Sequence, residues 1–371
     1  MRQNLLLLVF SLSLFGLTNC SKKHHSDVLY KKHYINEIKA ARESVIMHIS
    51  QNFVTGASIA VAKNGEVIYS EGIGLASKDL DVSANRQTKF RIGDNSSLFT
   101  NLIYLKMLED GTLIADSSVR YYYPEFPKKE NKITLRHLAN DMSGIRQANN
   151  HSELKNLNFS LEQGLKMFKD DPLKSPPGIY QSPSAFNYNL LGVVMEKATG
   201  KKFNELLAVY ITDTLHLSNT VSDNPYVTVK GRSDFFDANY IAQVVNTTFY
   251  DLRTYAPSKG LLSNAEDLVK LANAALYSDY FSRATRDSMF VPLKQYNGMP
   301  ARMANGWIVA QDMSGRTIYG RDGNVPGGTS SILIYPEEKL VIAYACNVSS
   351  SINNTPVFAV AGAFLKQKDK E

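Results

Sequence analysis

Between residues 30 and 53 the apolar positions Ile35, Ile38, Ala41, Val45 and Ile46 recur at helical spacing and fall on one side. The apolar run Ala57 to Ala62 then gives way to Lys63-Asn64-Gly65-Glu66, and a second apolar stretch follows at Val67 to Ser70. Two such runs joined by Asn-Gly predict a β-hairpin, because that turn needs positive φ at its central residues. Leu98, Leu102, Ile103, Leu105 and Met107 predict a helix over residues 95 to 110, with Gly111 placed to end it. Residues from roughly 130 to 290 read as mostly helical with irregular connections. Beyond them, Trp307–Ala310, Thr317–Gly320, Ser331–Tyr335 and Leu340–Cys346 read as strands. Pro336 to Lys339 forms a turn between the last two, and a closing helix spans about 354 to 367. Helix and strands at both ends with helices between predict one sheet built from both termini, carrying a helical insertion over roughly 95–290.

The first residues follow another pattern. Arg2 precedes an apolar stretch from Leu5 to Leu17, which has the length of a signal peptide and is short for a membrane span. It ends in Leu17-Thr18-Asn19-Cys20, which resembles a bacterial lipobox, although the residue before the cysteine is usually smaller than Asn19. The expected organisation is a signal peptide over 1–19, a lipidated Cys20 with a polar tether over 20–30, and a folded body over 31–371. An ordinary signal peptide with an incidental cysteine is the alternative. The partner expected from this segment is a membrane, reached through the lipid, and the expected location is the bacterial cell envelope.

At 371 residues the chain can bury a substantial core, and 44% hydrophobic with 20% charged residues is ordinary for a globular protein. The net charge of +6 is scattered, which excludes a dedicated nucleic-acid surface. His24 and His25 lack further ligands nearby, so no metal and no cofactor is expected. Two cysteines allow a disulfide by count, but Cys20 belongs to the processing signal and Cys346 to an apolar run that reads as a buried strand. There is no H-E-x-x-H, P-loop or dinucleotide glycine fingerprint.

Several stretches carry a family resemblance, in order. They are Phe90-Arg91-Ile92-Gly93 before a helix ending Glu109-Asp110-Gly111-Thr112-Leu113; Tyr123 to Pro127; Ile133 to Leu138; Ser143-Gly144-Ile145; Pro176-Pro177-Gly178; and Tyr188 to Val194. Gly260-Leu261-Leu262-Ser263 with Asp267-Leu268, and Gly327-Gly328, complete the series. From about residue 31 onward the chain resembles the serine β-lactamase and penicillin-binding-protein superfamily. It is most similar to the class C and esterase-like branch, which includes a mitochondrial serine β-lactamase-like protein. The resemblance implies an α/β (α+β) fold, with an antiparallel sheet flanked by helices, a helical subdomain, and an active site between them.

It also implies acyl transfer by the motifs S-x-x-K, Y-x-N and K-T-G or H-x-G. A serine needs a nearby base to become nucleophilic, and backbone N–H groups stabilise the oxyanion. In this chain the nucleophile position is Asp94 and the lysine position Ser97. The tyrosine position is Pro183 and the asparagine position Ala185. Arg321 stands where the family has lysine or histidine, and Gly323-Asn324 lies where the second oxyanion N–H belongs. Asp94 is expected to cap its helix, with a carboxylate nucleophile as the alternative. Ser96 has no lysine three residues on. Proline relays no proton, and arginine is no acid or base near neutrality. Arg321 is the candidate contact for a small anionic or peptide-like ligand, unless it pairs with Asp322. His137 reads as structural.

Three readings follow. The first is a pseudoenzyme that binds a ligand or partner at the cleft, with Asp94, Pro183, Ala185 and Arg321 at the floor. The second is a divergent hydrolase of esterase, β-lactamase or D-Ala-D-Ala peptidase type, using Ser96, Ser97 or Asp94. The third is a scaffold whose cleft is filled by Tyr180 or Phe186.

Overall fold

The computed structural model describes residues 27–148, 160–238, 243–349 and 354–365. The signal segment, Cys20 and tether residues up to 26 lie outside these residues, as do positions 366–367 of the expected closing helix, whereas Leu29–Tyr30, expected to belong to the tether, forms an edge strand opposite Ser70 and Tyr69.

The hairpin forms as the Asn-Gly signal predicts. Strands Gly56–Lys63 and Glu66–Ser77 pair antiparallel, and Asn64 (φ 54°) and Gly65 (φ 81°) take the left-handed conformation at the turn. Strand Leu340–Cys346 from the other end of the chain pairs with Gly56–Lys63 from Leu340 opposite Lys63 to Cys346 opposite Ala57. The line runs Leu29–Tyr30, Glu66–Ser77, Gly56–Lys63, Leu340–Cys346, Gly328–Tyr335, Thr317–Val325, Trp307–Gln311, Met303–Ala304, and every pairing in it is antiparallel. One sheet from both termini is therefore what the molecule builds.

Each central strand is buried on both faces. In Leu340–Cys346, Ile342 and Tyr344 point into a cluster with Ile38, Ala41 and Val45 of helix Ile35–Gln51 and with Val357, Val360 and Ala361 of helix Val357–Phe364. Val341, Ala343 and Ala345 point the other way, into a larger cluster that includes Leu268, Leu271, Ala272 and Trp307. Alternation explains the split, since successive strand side chains take opposite faces. The continuous apolar composition of this run follows from having helices on both sides. Cys346 is a free, buried thiol in it.

Two features depart from the sequence pattern. Helix Ala265–Tyr277, inside the stretch expected as the insertion, packs on the sheet through Leu268, Leu271 and Ala272. The insertion also carries short strands that pair with chain on either side of it: Phe90–Arg91 and Val221–Ser222 flank Leu261–Ser263, and Phe236–Ala238 joins Val244–Asn246 and Val348–Ser349. Three-residue strands have no periodicity to read.

The first of these small sheets positions the site. Phe90 sits opposite Ser263 and Arg91 opposite Leu262, and Ile92 N–H donates to the Leu261 carbonyl at 3.2 Å. The pairing holds the turn Gly93–Asn95 beside the loop before Gly260. Gly93 (φ 51°) lies so close to the strand Thr317–Val325 that a Cβ there would stand 2.5 Å from Asn324 N. A serine hydroxyl completes the clamp, since Ser330 donates to Ile92 O and accepts from the Asn95 amide, each at 2.7 Å.

Candidate active-site cleft

A cleft of about 270 Å³ opens between the sheet edge and the helical part, lined among others by Asp94, Pro183, Ala185, Tyr188, Lys259 and Arg321. The turn at the start of helix Ser96–Glu109 delivers Asp94, and the loop before helix Ala185–Thr199 delivers Pro183. Ser184 caps that second helix by accepting from Phe186 N–H.

The carboxylate of Asp94 is held from two sides. Lys259 Nζ lies 3.0 Å from Oδ1 and 3.2 Å from Oδ2, and Asn324 N–H donates to Oδ2 at 3.2 Å. Asn324 is the position where an oxyanion donor was expected, so a side chain of the chain itself occupies that N–H. The expected cap does not form: Asp94's carboxylate makes no bond to its own helix, because Lys259 and Asn324 draw it into the cleft. Burial pushes the Asp94 carboxyl up, but the charges of Lys259 and Arg321 and the bonds from Lys259 and Asn324 outweigh this and hold it below its ordinary 3.8. The sign follows from linkage. A depressed carboxyl contributes stability that is full above its unfolded value and fades as pH falls through the folded one. Acid denaturation from about pH 4 downward should accordingly be steeper for the wild type than for Asp94→Asn, read as the urea midpoint against pH. Equal slopes would mean that Lys259 does not hold the carboxylate.

Arg321 is 7% exposed and its donors face the protein. Nε donates to Asp94 O at 3.1 Å and Nη1 to Gly306 O at 2.7 Å, with the guanidinium 5.6 Å from the Tyr188 ring centroid. The ion pair with Asp322 is absent. Arg321 is buried and Asp322 exposed as strand neighbours on opposite faces, and Asp322 accepts from Ser331 instead. Arg321's counter-charges are Asp94 and Asp141.

Asp141, 1% exposed, accepts from Asn187 Nδ2 at 2.7 Å, Tyr188 OH at 2.8 Å and Ser184 N–H at 3.1 Å. Burial raises its carboxyl, and Arg321 with these three bonds offsets that only in part. Burial, then Asp141, likewise raises the Tyr188 phenol. The phenol therefore stays protonated and donates inward.

The remaining expected residues stand apart from the cleft or lack chemistry. Ser97 Oγ donates to Asp94 O at 2.7 Å, and Ser96 Oγ accepts from Leu261 N–H at 3.1 Å; both residues are fully buried. Pro183 and Ala185 bring no proton-transfer group. A Cβ on Gly323 would stand 2.0 Å from Ile92 O, so this position serves close backbone approach. Tyr180 pairs with Tyr296 at 4.8 Å, and Phe186 stacks on Phe168 at 4.3 Å, so neither covers Asp94. His137 forms a capping box with Thr134, which is a structural task. No group of metal-binding side chains occurs among the described residues.

Sequence reasoning missed Lys259, Asp141 and the role of Tyr188. Lys259 directly precedes Gly260-Leu261-Leu262-Ser263, a stretch read only as a mark of the fold. Asp141 lies two residues before Ser143-Gly144 in a left-handed turn (φ 55°), and no periodicity marks it.

Comparison with known proteins agrees with this architecture. Protein flp of Staphylococcus aureus (strain MW2) is 24% identical over 325 residues, covering 85% of this chain and 64% of flp. The mitochondrial serine beta-lactamase-like protein LACTB of Bos taurus is 23% identical over 455 residues, covering 91% of this chain and 81% of LACTB. Among solved structures, the octameric penicillin-binding protein homologue from Pyrococcus abyssi superposes with a TM-score of 0.75 at 21% identity, over 88% of this chain and 76% of that one. The D-amino acid amidase from Ochrobactrum anthropi superposes with a TM-score of 0.77 at 18% identity, over 88% and 98%. These likenesses carry the fold, a β-lactamase/transpeptidase-like arrangement of antiparallel sheet and helices. Residues 42–357 match the Beta-lactamase family, which takes in the hairpin, the Asp94 turn, the cleft and the last sheet strand, and the chain belongs to that family.

Proposed function

We propose that this protein is a beta-lactamase-related pseudoenzyme, exported and anchored to the bacterial envelope by a lipid on Cys20, whose cleft binds a small ligand without acyl chemistry. The observation that carries the reading is the Asp94 carboxylate seated on Asn324 N–H and Lys259. A nucleophile position that bears a carboxylate, with that carboxylate on the oxyanion donor, leaves an incoming carbonyl neither attack nor stabilisation. The absence of one member of such a catalytic unit lowers rate by several orders of magnitude.

The cleft itself remains open, which favours binding over a purely structural role. Lys259 is 25% exposed and faces it, with Arg321 behind, so a peptide-like molecule bearing a carboxylate would share the Lys259 ammonium with Asp94. Arg321 contributes its field, because two of its donors already meet carbonyls.

The test is intact-mass spectrometry of the full chain in detergent after incubation with a fluorophosphonate and with penicillin. The expected result is no added mass on protein shown to be folded by circular dichroism. An adduct on Ser96 or Ser97 would replace this reading by that of a hydrolase with a relocated nucleophile.

A further inference from the structure

We propose that Lys259 is a relocated proton acceptor for residue 94, so that the cleft retains a base and an oxyanion donor around a position that lacks a nucleophile, although Pro183 and Ala185 replace the Y-x-N side chains. The proposal rests on the reading that the wild-type chain forms no acyl-enzyme.

The geometry places Lys259 Nζ 3.0 and 3.2 Å from the two carboxylate oxygens of Asp94, inside the reach a general base needs. The lysine comes from the loop side, whereas the helix position one turn after residue 94 holds Ser97, whose hydroxyl is bonded to Asp94 O. Its backbone is fixed. The N–H groups of Ser258, Lys259 and Gly260 all donate to the Tyr255 carbonyl, at 2.9, 2.8 and 2.8 Å. The Ser258 hydroxyl donates to Asn189 Oδ1 at 2.7 Å, and the strand that follows pairs with Phe90–Arg91. Residues 94 and 259 are therefore held together by backbone as well as by their charges.

With Asp94→Ser, the installed hydroxyl takes the place of the carboxylate carbon, one bond short of the oxygens that Lys259 and Asn324 N–H now hold. Towards a fluorophosphonate, Lys259 as the neutral amine takes the hydroxyl proton, the oxygen forms a bond to phosphorus, and the P–F bond breaks with loss of fluoride. Asn324 N–H faces the phosphonyl oxygen, and the lysine proton then passes to water.

The experiment compares full-length wild type, Asp94→Ser, Asp94→Ser/Lys259→Ala and Asp94→Ala by intact mass during fluorophosphonate exposure. Asp94→Ser is expected to gain one adduct mapping to position 94, about 100-fold faster than the double variant, at a rate that climbs with pH. Asp94→Ala stays unlabelled. A folded Asp94→Ser that stays unlabelled, or that labels equally fast without Lys259, overturns the proposal; labelling of the wild type overturns the proposed function instead. Asp94→Cys, alkylated with iodoacetamide, gives an independent readout should Asp94→Ser melt without cooperativity. Its rate should fall about tenfold with Lys259→Ala, because a nearby ammonium favours the thiolate, and equal rates count against the lysine.

Discussion

Arg91→Ala is expected to lower the unfolding free energy by about 3–5 kcal/mol, the largest loss foreseen for any single side chain of the cleft's supports. The Arg91 and Asp223 side chains are 4% and 1% exposed, with Nε 2.7 Å from Oδ2. The same guanidinium donates to Pro326 O at 2.8 Å and lies 3.8 Å above the Phe235 ring. Alanine leaves the Asp223 carboxylate buried, with Arg232 Nη1 at 3.7 Å as its nearest remaining cation. Breaking one side of a buried pair costs far more than replacing both partners with apolar groups. Chemical denaturation at neutral pH measures the loss, and Arg91→Met with Asp223→Leu should recover much of it. A loss below about 1 kcal/mol for the single variant would show that water reaches Asp223 and carries its charge.

Gly93→Ala is the second large effect, with an expected cost of about 3 kcal/mol from two sources. A left-handed residue with a side chain costs roughly 1–2 kcal/mol. The added Cβ also meets Asn324 N at 2.5 Å and Asn324 C at 2.8 Å, backbone atoms that must move. Movement of that strand separates Asn324 N–H from Asp94, so the variant should also lose the steeper acid limb described for the wild type. Urea titrations at pH 7 and pH 3 measure both effects. A variant with wild-type stability at pH 7 would show that the turn relaxes without disturbing the strand.

The long elements were legible because their apolar positions repeat. Ile35–Gln51, the Asn64-Gly65 hairpin and Leu340–Cys346 each declared themselves by period or turn chemistry. The motif positions were legible through the family resemblance, which, aligned on Arg91-Ile92-Gly93 and Tyr188-Asn189, pointed to Asp94, Pro183 and Ala185, residues that line one cleft. Partnerships were not legible. Asp94 and Lys259 are separated by 165 residues, and the segments that carry them meet through the short pairing of Phe90–Arg91 with Leu261–Ser263 and the bonds of Ile92 and Ser96 to Leu261. The choice between Asp322 and a more distant partner for Arg321 was likewise decided by strand alternation and burial, which set sequence neighbours on opposite faces.

The pairing of Leu340–Cys346 with Gly56–Lys63 also bears on how the molecule comes into being. The middle of the sheet joins the start of the folded body to nearly its end, so the strand Gly56–Lys63 emerges from the ribosome 277 residues (340 − 63) before the strand that covers its free edge begins. Asn324 and Arg321 arrive late as well, on the strand Thr317–Val325, which reaches Leu340–Cys346 through Gly328–Tyr335. Until then the hairpin carries an unpaired apolar edge, the kind of surface that holdase chaperones shield. A chain released short of residue 346 would have an intact Asp94 turn in its sequence and no wall of the cleft for it to face.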